Sequence, residues 1–150
     1  MKKILVPVDG SKASRKAVEK AIELSNMYNS KLIFIHVVDT RGIYTYDVGG
    51  VLSFPLNHSK YTDDLIEAKS LFLDAFVASL EIENKDVEKV ILHGEPSDRI
   101  LSFAHDEEVD LIVMGRRGFS KIQRFFVGSV TQRVISDAPC PVLIINGEDE

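Results

Sequence analysis

Apolar residues along this chain fall into short dense runs, separated by longer stretches in which they recur at every third or fourth position. The first run, Lys3 to Val8, is bounded by the turn signal Asp9-Gly10-Ser11 and predicts a buried strand. Ser11 is a candidate N-cap for a helix over Lys12 to Tyr28, in which Ala13, Ala17, Ala21 and Leu24 share one face with Val18, Ile22 and Ser25 beside them. Leu32 to Val38 is a second, largely β-branched strand. Asp39 to Ser59 carries three glycines, one proline and several aromatics and reads as a loop. A helical stripe of Leu65, Lys69, Phe72, Phe76 and Leu80 predicts a helix from Thr62 to Leu80. Val87 to His93 is a third strand. Gly94-Glu95-Pro96-Ser97 opens a helix through His105, with Pro96 near its first turn. Asp110 to Met114 is a fourth strand, Val127 to Ser136 a last helix and Pro141 to Ile145 a fifth strand, after which the polar tail Asn146 to Glu150 is expected to fray.

Strands that alternate with helices predict an α/β fold with a parallel sheet, because each parallel crossover needs a helix to return the chain. Near-continuous apolar strands fit burial on both faces. Without an internal repeat or a linker, residues 1–150 read as a single domain. In such a sheet a ligand sits outside the carboxyl ends of the strands, where the strand order reverses. With the usual order 3-2-1-4-5, strands one and four are neighbours there. The loop bearing Pro7, Asp9, Gly10 and Ser11 then meets the loop after strand four, and His36-Val37-Val38-Asp39 forms another wall.

That second loop carries the most informative pattern in the chain: Gly115-Arg116-Arg117-Gly118, nine residues, then Gly128-Ser129-Val130-Thr131. A strand, a glycine-bearing loop and a hydroxyl-rich helix start suit a phosphate, since helix N-terminal N–H groups point at the ligand and the dipole favours negative charge. Gly115 to Arg133 holds five cations, Arg116, Arg117, Lys121, Arg124 and Arg133, and no acid, on a chain whose net charge is −5. A solvated basic face would show the same clustering, and each glycine has a packing or turn explanation of its own; Ser129 could serve simply as an N-cap. The combined spacing favours an anion site.

Other chemistry is less well supported. There is neither a G-x-x-x-x-G-K-[ST] loop nor a G-x-G-x-x-G fingerprint, and Ser11, Ser97 and Ser129 lie in no G-x-S-x-G elbow. The four histidines, His36, His58, His93 and His105, show no metal-ligand spacing. Asp9 is the carboxylate expected at the crevice, either as a turn residue or as a contact to ribose or to a phosphate-bound Mg²⁺. The acidic balance argues against broad nucleic-acid binding, and no apolar run approaches the ~18 residues of a membrane span. The N-terminal apolar stretch, interrupted by Asp9, is too short for a signal peptide. The one cysteine, Cys140, lies between Pro139 and Pro141, reads as structural, and fits a reducing cytoplasm.

On these residues the chain resembles the nucleotide-binding branch of the universal stress protein family. The likeness runs from Lys3-Ile4-Leu5-Val6-Pro7-Val8-Asp9-Gly10-Ser11 through His36-Val37-Val38, Gly94-Glu95-Pro96 and Val109 to Gly115, to Gly128-Ser129-Val130-Thr131 and Ala138 to Ile144. The glycine pattern matches that branch's G-2x-G-9x-G-[ST] signature without a gap. The resemblance implies a Rossmann-like, adenine nucleotide alpha hydrolase-like sheet with helices on both faces, and ATP at the switch point with Mg²⁺ or Mn²⁺ as its companion. It implies that Pro7, Val8, Asp9 and the backbone of Val37 surround adenine and ribose. Met114, Gly115, Arg116, Arg117, Gly118, Phe119, Ser120 and Lys121 would line the phosphate path, and Gly128, Ser129, Val130 and Thr131 would hold the phosphates. Asp9 is the candidate metal contact. It also implies a homodimer paired through the last strand, residues 142–145.

The leading expectation is an ATP-loaded switch or sensor in the stress response, since cations are present and a convincing base is not; any ATP hydrolysis is expected to be slow. The alternatives are a slow metal-dependent ATPase and an apo dimerisation or interaction module whose loop contacts a protein partner; the downstream protein partner is not legible in the sequence. The segment around Tyr44, Tyr46 and Phe54 is particular to this chain.

Overall fold

The dense apolar runs become strands, and the three central ones are buried on both faces. A computed structural model of the protein describes residues 1–41, 58–82, 86–117 and 127–147. In chain order the elements are β1 (Lys3–Pro7), α1 (Lys12–Tyr28), β2 (Lys31–Asp39), α2 (His58–Ala78), β3 (Val87–Gly94), α3 (Pro96–Asp106), β4 (Leu111–Gly115), α4 (Ser129–Asp137) and β5 (Val142–Ile145). Among the described residues the strands form one five-stranded sheet in the order β3-β2-β1-β4-β5, with every pairing parallel. This is the predicted order, with the reversal between β1 and β4.

The side-chain period of two in each strand divides the core into two layers. Ile4 and Val6 of β1, Leu32 and Phe34 of β2 and Val113 of β4 face α1 and α2, where they meet Ala17, Val18, Ala21, Leu73 and Phe76. Leu5, Ile33, Ile35, Ile112 and Met114 face the other way, onto Ile100 and Ala104 of α3 and Val134 of α4. At about 1.5–3 kcal/mol for each large side chain fully buried, these layers outweigh exposed ion pairs such as Lys3–Glu107 and Lys31–Glu88, which contribute about 0–1 kcal/mol each.

Helix α1 starts and stops where its sequence dictates. Ser11, extended at φ −68 and ψ 163, accepts the Ser14 N–H at 3.1 Å, and Asn29 ends the helix in the left-handed region at φ 51. Its small-residue face lets the backbone approach the sheet closely. A Cβ placed on Gly115 would lie 2.7 Å from Ala13 Cβ and 2.8 Å from the Ala13 carbonyl carbon. One on Gly147 would lie 2.6 Å from both Ala13 Cα and Cβ. Gly115 is therefore required by packing at the end of β4.

Several boundaries differ from expectation. Strand β2 extends through Asp39 and α2 begins at His58, so the predicted 39–59 loop gives up residues at both ends; the rest of it lies outside the described residues. No breaker separates His58 from Thr62, so the helix runs past the hydroxyl taken as its start. Leu73, absent from the predicted stripe, is the most buried residue of α2, and Leu80 lies beyond the helix. Asp110 precedes β4, and its carboxylate instead accepts the Lys2 and Lys3 N–H groups at 2.6 and 2.9 Å. Helix α4 starts at Ser129 rather than Val127, because Gly128 takes the N-cap position, and β5 starts after Pro141, which has no N–H to give a ladder.

Replacing Gly115 by alanine forces α1 away from β4. We expect Gly115→Ala to lower unfolding free energy by about 1–3 kcal/mol, measured by urea denaturation with the m-value unchanged.

Candidate functional site

Helices α1 and α4 follow neighbouring strands but return on opposite faces of the sheet, so the turns that lead to them diverge. Between them opens a cavity of about 310 Å³. Pro7, Val8, Asp9, Ser11 and Ser14 form one side, and Ile35, His36 and Val37 of β2 form the back. Pro96 and Ile100 of α3 close the apolar flank. Met114, Gly115, Arg117, Gly128, Ser129, Val130 and Thr131 form the opposite side. Apolar side chains such as Ile35, Val37, Ile100 and Met114 line it together with a few polar groups, the usual character of a small-molecule pocket.

The β1–α1 turn is tightly organised. Gly10 sits at φ 86, a conformation that side-chain-bearing residues rarely adopt. Asp9 Oδ1 accepts the Ser11 N–H at 2.8 Å, so Asp9 is an Asx-turn residue and lines the cavity in the same pose. His36 is buried behind this turn. Its Nδ1 lies 2.6 Å from the Val8 carbonyl oxygen, which can only accept, so Nδ1 carries the proton. Burial pushes the His36 pKa below its ordinary value. Lys69 on α2 adds to this effect, while the Val8 bond and Asp9 oppose it.

On the opposite side, two hydrogen bonds tie the ends of the glycine loop together and a third anchors its start to β5. Gly128 N–H donates to Arg116 O at 3.0 Å, Arg116 N–H to Ile145 O at 2.9 Å, and Thr131 Oγ1 to Gly115 O at 3.1 Å. The Thr131 hydroxyl is buried and engaged in the fold. Ser129 is the first helical residue, so the alternative that it serves simply as an N-cap does not hold. The cap is Gly128, which offers no side-chain oxygen to the first turn. Helix geometry leaves the N–H groups of that turn without an i−4 acceptor. Gly128 has φ −59 and ψ 149, open to any residue, and a Cβ there would meet nothing closer than 3.6 Å. The fold itself does not require glycine at this position.

Of the sequence-predicted site residues, Pro7, Val8, Asp9, Val37, Met114, Gly115, Arg117, Gly128, Ser129, Val130 and Thr131 come together around the cavity. Arg116 does not line it; its backbone braces the loop from behind. Gly118, Phe119, Ser120 and Lys121 lie outside the described residues. Sequence reasoning missed Ser14, Ile35, Pro96 and Ile100. Pro96 was within reach, because every crossover helix starts at the carboxyl end of the sheet, and Gly94-Glu95-Pro96 marks such a start. Glu95 caps α3 through the Asp98 N–H at 2.7 Å and pairs with Arg41 beyond β2 at 3.5 Å, which holds Pro96 at the rim. No group of three or more His, Cys, Asp or Glu side chains among the described residues could hold a metal. Among the described residues, Asp9 is the one carboxylate that lines the cavity.

The family model described as the universal stress protein family matches residues 1–146. The chain belongs to the universal stress protein family. A universal stress protein of Staphylococcus saprophyticus is 32% identical over 99% of this chain and 85% of its own length. The structure of universal stress protein UspA from Lactobacillus plantarum superposes with a TM-score of 0.73 at 30% identity, covering 96% of this chain and 97% of that one. A universal stress protein solved in complex with cAMP superposes with a TM-score of 0.61 at 25% identity, covering 98% of each chain. As a universal stress protein, the chain has the Rossmann-like sheet of its relatives, and among its described residues no helix is long and apolar enough to cross a membrane.

The buried neutral His36 makes stability depend on pH. The unfolded chain takes up this proton near pH 6.5, above the folded value, so it binds more protons in the window just below 6.5. The contribution of His36 is complete above pH 6.5 and is lost as pH falls below it. Urea unfolding at pH 7.5 and pH 5 should show wild type losing more stability on acidification than His36→Asn; equal losses would contradict a neutral, buried imidazole.

Proposed function

We propose that this universal stress protein binds an adenine nucleotide, ATP foremost, in the cavity between β1 and β4. It would act there as a nucleotide-dependent switch in the stress response, and not as a fast enzyme. The observation that carries this reading is Gly128. A helix start favours Ser, Thr, Asp or Asn at its N-cap, and the fold leaves room for one of them. Glycine instead leaves the first-turn N–H groups of α4 open toward the cavity, which suits a phosphate approaching the backbone. Arg117 adds positive charge to the same wall, and the apolar lining residues Ile35, Ile100 and Met114 suit a flat base. The relative solved with cAMP supports an adenine nucleotide as the ligand class.

In this reading Pro7, Val8, Asp9 and Val37 surround base and ribose. Met114, Gly115 and Arg117, with Gly118 to Lys121 beyond them, follow the phosphates to the amides of Ser129, Val130 and Thr131. Any Mg²⁺ or Mn²⁺ would arrive with the nucleotide and take most of its oxygen ligands from phosphates and water, with Asp9 as a protein contact. Asp9 is the one carboxylate in the described cavity wall, and an oxygen of it is already held by Ser11, which supports binding over hydrolysis. We further propose that residues 1–150 act as one cytoplasmic unit, and that β5, partly exposed along its length at one edge of the sheet, pairs with a second copy of the chain.

The test is ligand-induced stabilisation together with analysis of co-purified nucleotide. ATP at a hundred times its dissociation constant should add about 2.7 kcal/mol, a rise of roughly 5–10 °C in Tm. AMP and cAMP serve as competitors. Gly128→Val should cost the apoprotein about 1 kcal/mol and weaken ATP at least tenfold. Absence of any shift with all three nucleotides would favour the interaction module instead.

A further inference from the structure

The peptide unit joining Val8 to Asp9 is held at both ends by side chains from different elements. Its carbonyl oxygen accepts the Nδ1–H of His36 on β2 at 2.6 Å. Its N–H donates to Ser14 Oγ on α1 at 3.2 Å. A peptide unit is planar, so holding both polar groups fixes the plane and with it ψ of Val8 and φ of Asp9. The direction in which the Asp9 side chain leaves the backbone is thereby set. A third bond, from the Ser11 N–H to Oδ1 at 2.8 Å, then fixes the carboxylate itself. Asp9 thus lines the cavity with its carboxylate already oriented by the turn.

The two holding groups are themselves well supported. His36 is 8% exposed and Ser14 3%. The His36 ring meets Phe72 of α2 edge-on, with centroids 5.7 Å apart. Asp9, by contrast, is exposed. The turn thus has a rigid buried frame carrying one accessible charged acceptor, an arrangement suited to reading the direction of a hydroxyl. A hydrogen bond to a charged group is stronger than one between neutral groups and weakens steeply with misalignment.

We infer that His36 and Ser14 are positioning residues for Asp9, and that through it they set the site's preference for a ribose over a deoxyribose nucleotide. The inference rests on the proposed nucleotide reading. A histidine that served only to fill space would support the fold without favouring one sugar over another. Here its single described hydrogen bond goes to the peptide on which Asp9 is mounted.

The experiment is calorimetric titration of the full chain with ATP, 2′-deoxy-ATP and 3′-deoxy-ATP. Wild type should prefer ATP over at least one deoxy analogue by about tenfold. His36→Leu and Ser14→Ala should each reduce that ratio to about twofold or less. His36→Asn, whose amide N–H can replace Nδ1–H, should keep it. In an Asp9→Ala background the ratio should already be lost, and adding His36→Leu should not change it further. If His36→Leu and Ser14→Ala weaken all three ligands equally and leave the ratio intact, the inference is wrong and the residues only pack. Wild-type binding of ATP without sugar preference overturns the inference while the nucleotide reading stands. Failure of wild type to bind any of the three overturns both. Should His36→Leu not fold, Ser14→Ala decides the matter from the other end of the same peptide.

Discussion

How closely α1 approaches the sheet determines the shape of the carboxyl end. Ala13 lies so near the ends of β4 and β5 that neither Gly115 nor Gly147 has space for a side chain. That contact brings the first turn of α1 down beside the end of β4, so the β1–α1 turn and the start of the glycine loop border one cavity. The capping of α1 by Ser11, the Asx turn at Asp9 and the left-handed Gly10 are the local means by which the chain leaves β1 and arrives at that position. The opposite wall rests on it in turn, because Thr131 of α4 is bonded to the carbonyl of Gly115.

Two glycines of one sequence pattern therefore answer to different demands. Gly115 answers to the fold, since any larger residue collides with Ala13. Gly128 has space and an ordinary backbone conformation, so a larger residue would be tolerated by the protein alone. Spacing in a sequence cannot separate these cases, because both present simply as glycine. Only the distances to neighbouring atoms distinguish a residue kept small for packing from one that leaves the backbone open to a visitor.

Much of the architecture was legible in the sequence because the local signals agree with one another. Helix α1 is bracketed by a turn and cap at Asp9-Gly10-Ser11 and by Asn29, and it runs over the expected residues. The two-sided burial of β1 and β2 follows from unbroken apolar runs, and the strand order follows the usual preference of such sheets. The start of α2 was harder to read, because Asn57, Ser59 and Thr62 stand close together and each is a residue type that can open a helix. At the site, residues with distinctive local chemistry, Asp9, Gly10 and Gly128, could be picked out directly. Ile35 and Ile100 could not, because an isoleucine lining a cavity is indistinguishable in sequence from one in the core. His36 was visible as a strand residue, but its attachment to Val8, far away in the chain, depends on the register that places β2 beside β1.

Arg116 gives the edge of the sheet a mechanical role. Its N–H extends the ladder to Ile145 at the end of β5, while its carbonyl receives the N–H of Gly128 at the start of α4. One residue is thus the last rung of the outermost pairing and the seat of the helix cap. Rigid-body motion of β5 relative to β4 would be transmitted through a single peptide-length lever to the mouth of the cavity. An edge strand is in this way joined to the helix start that borders the cavity.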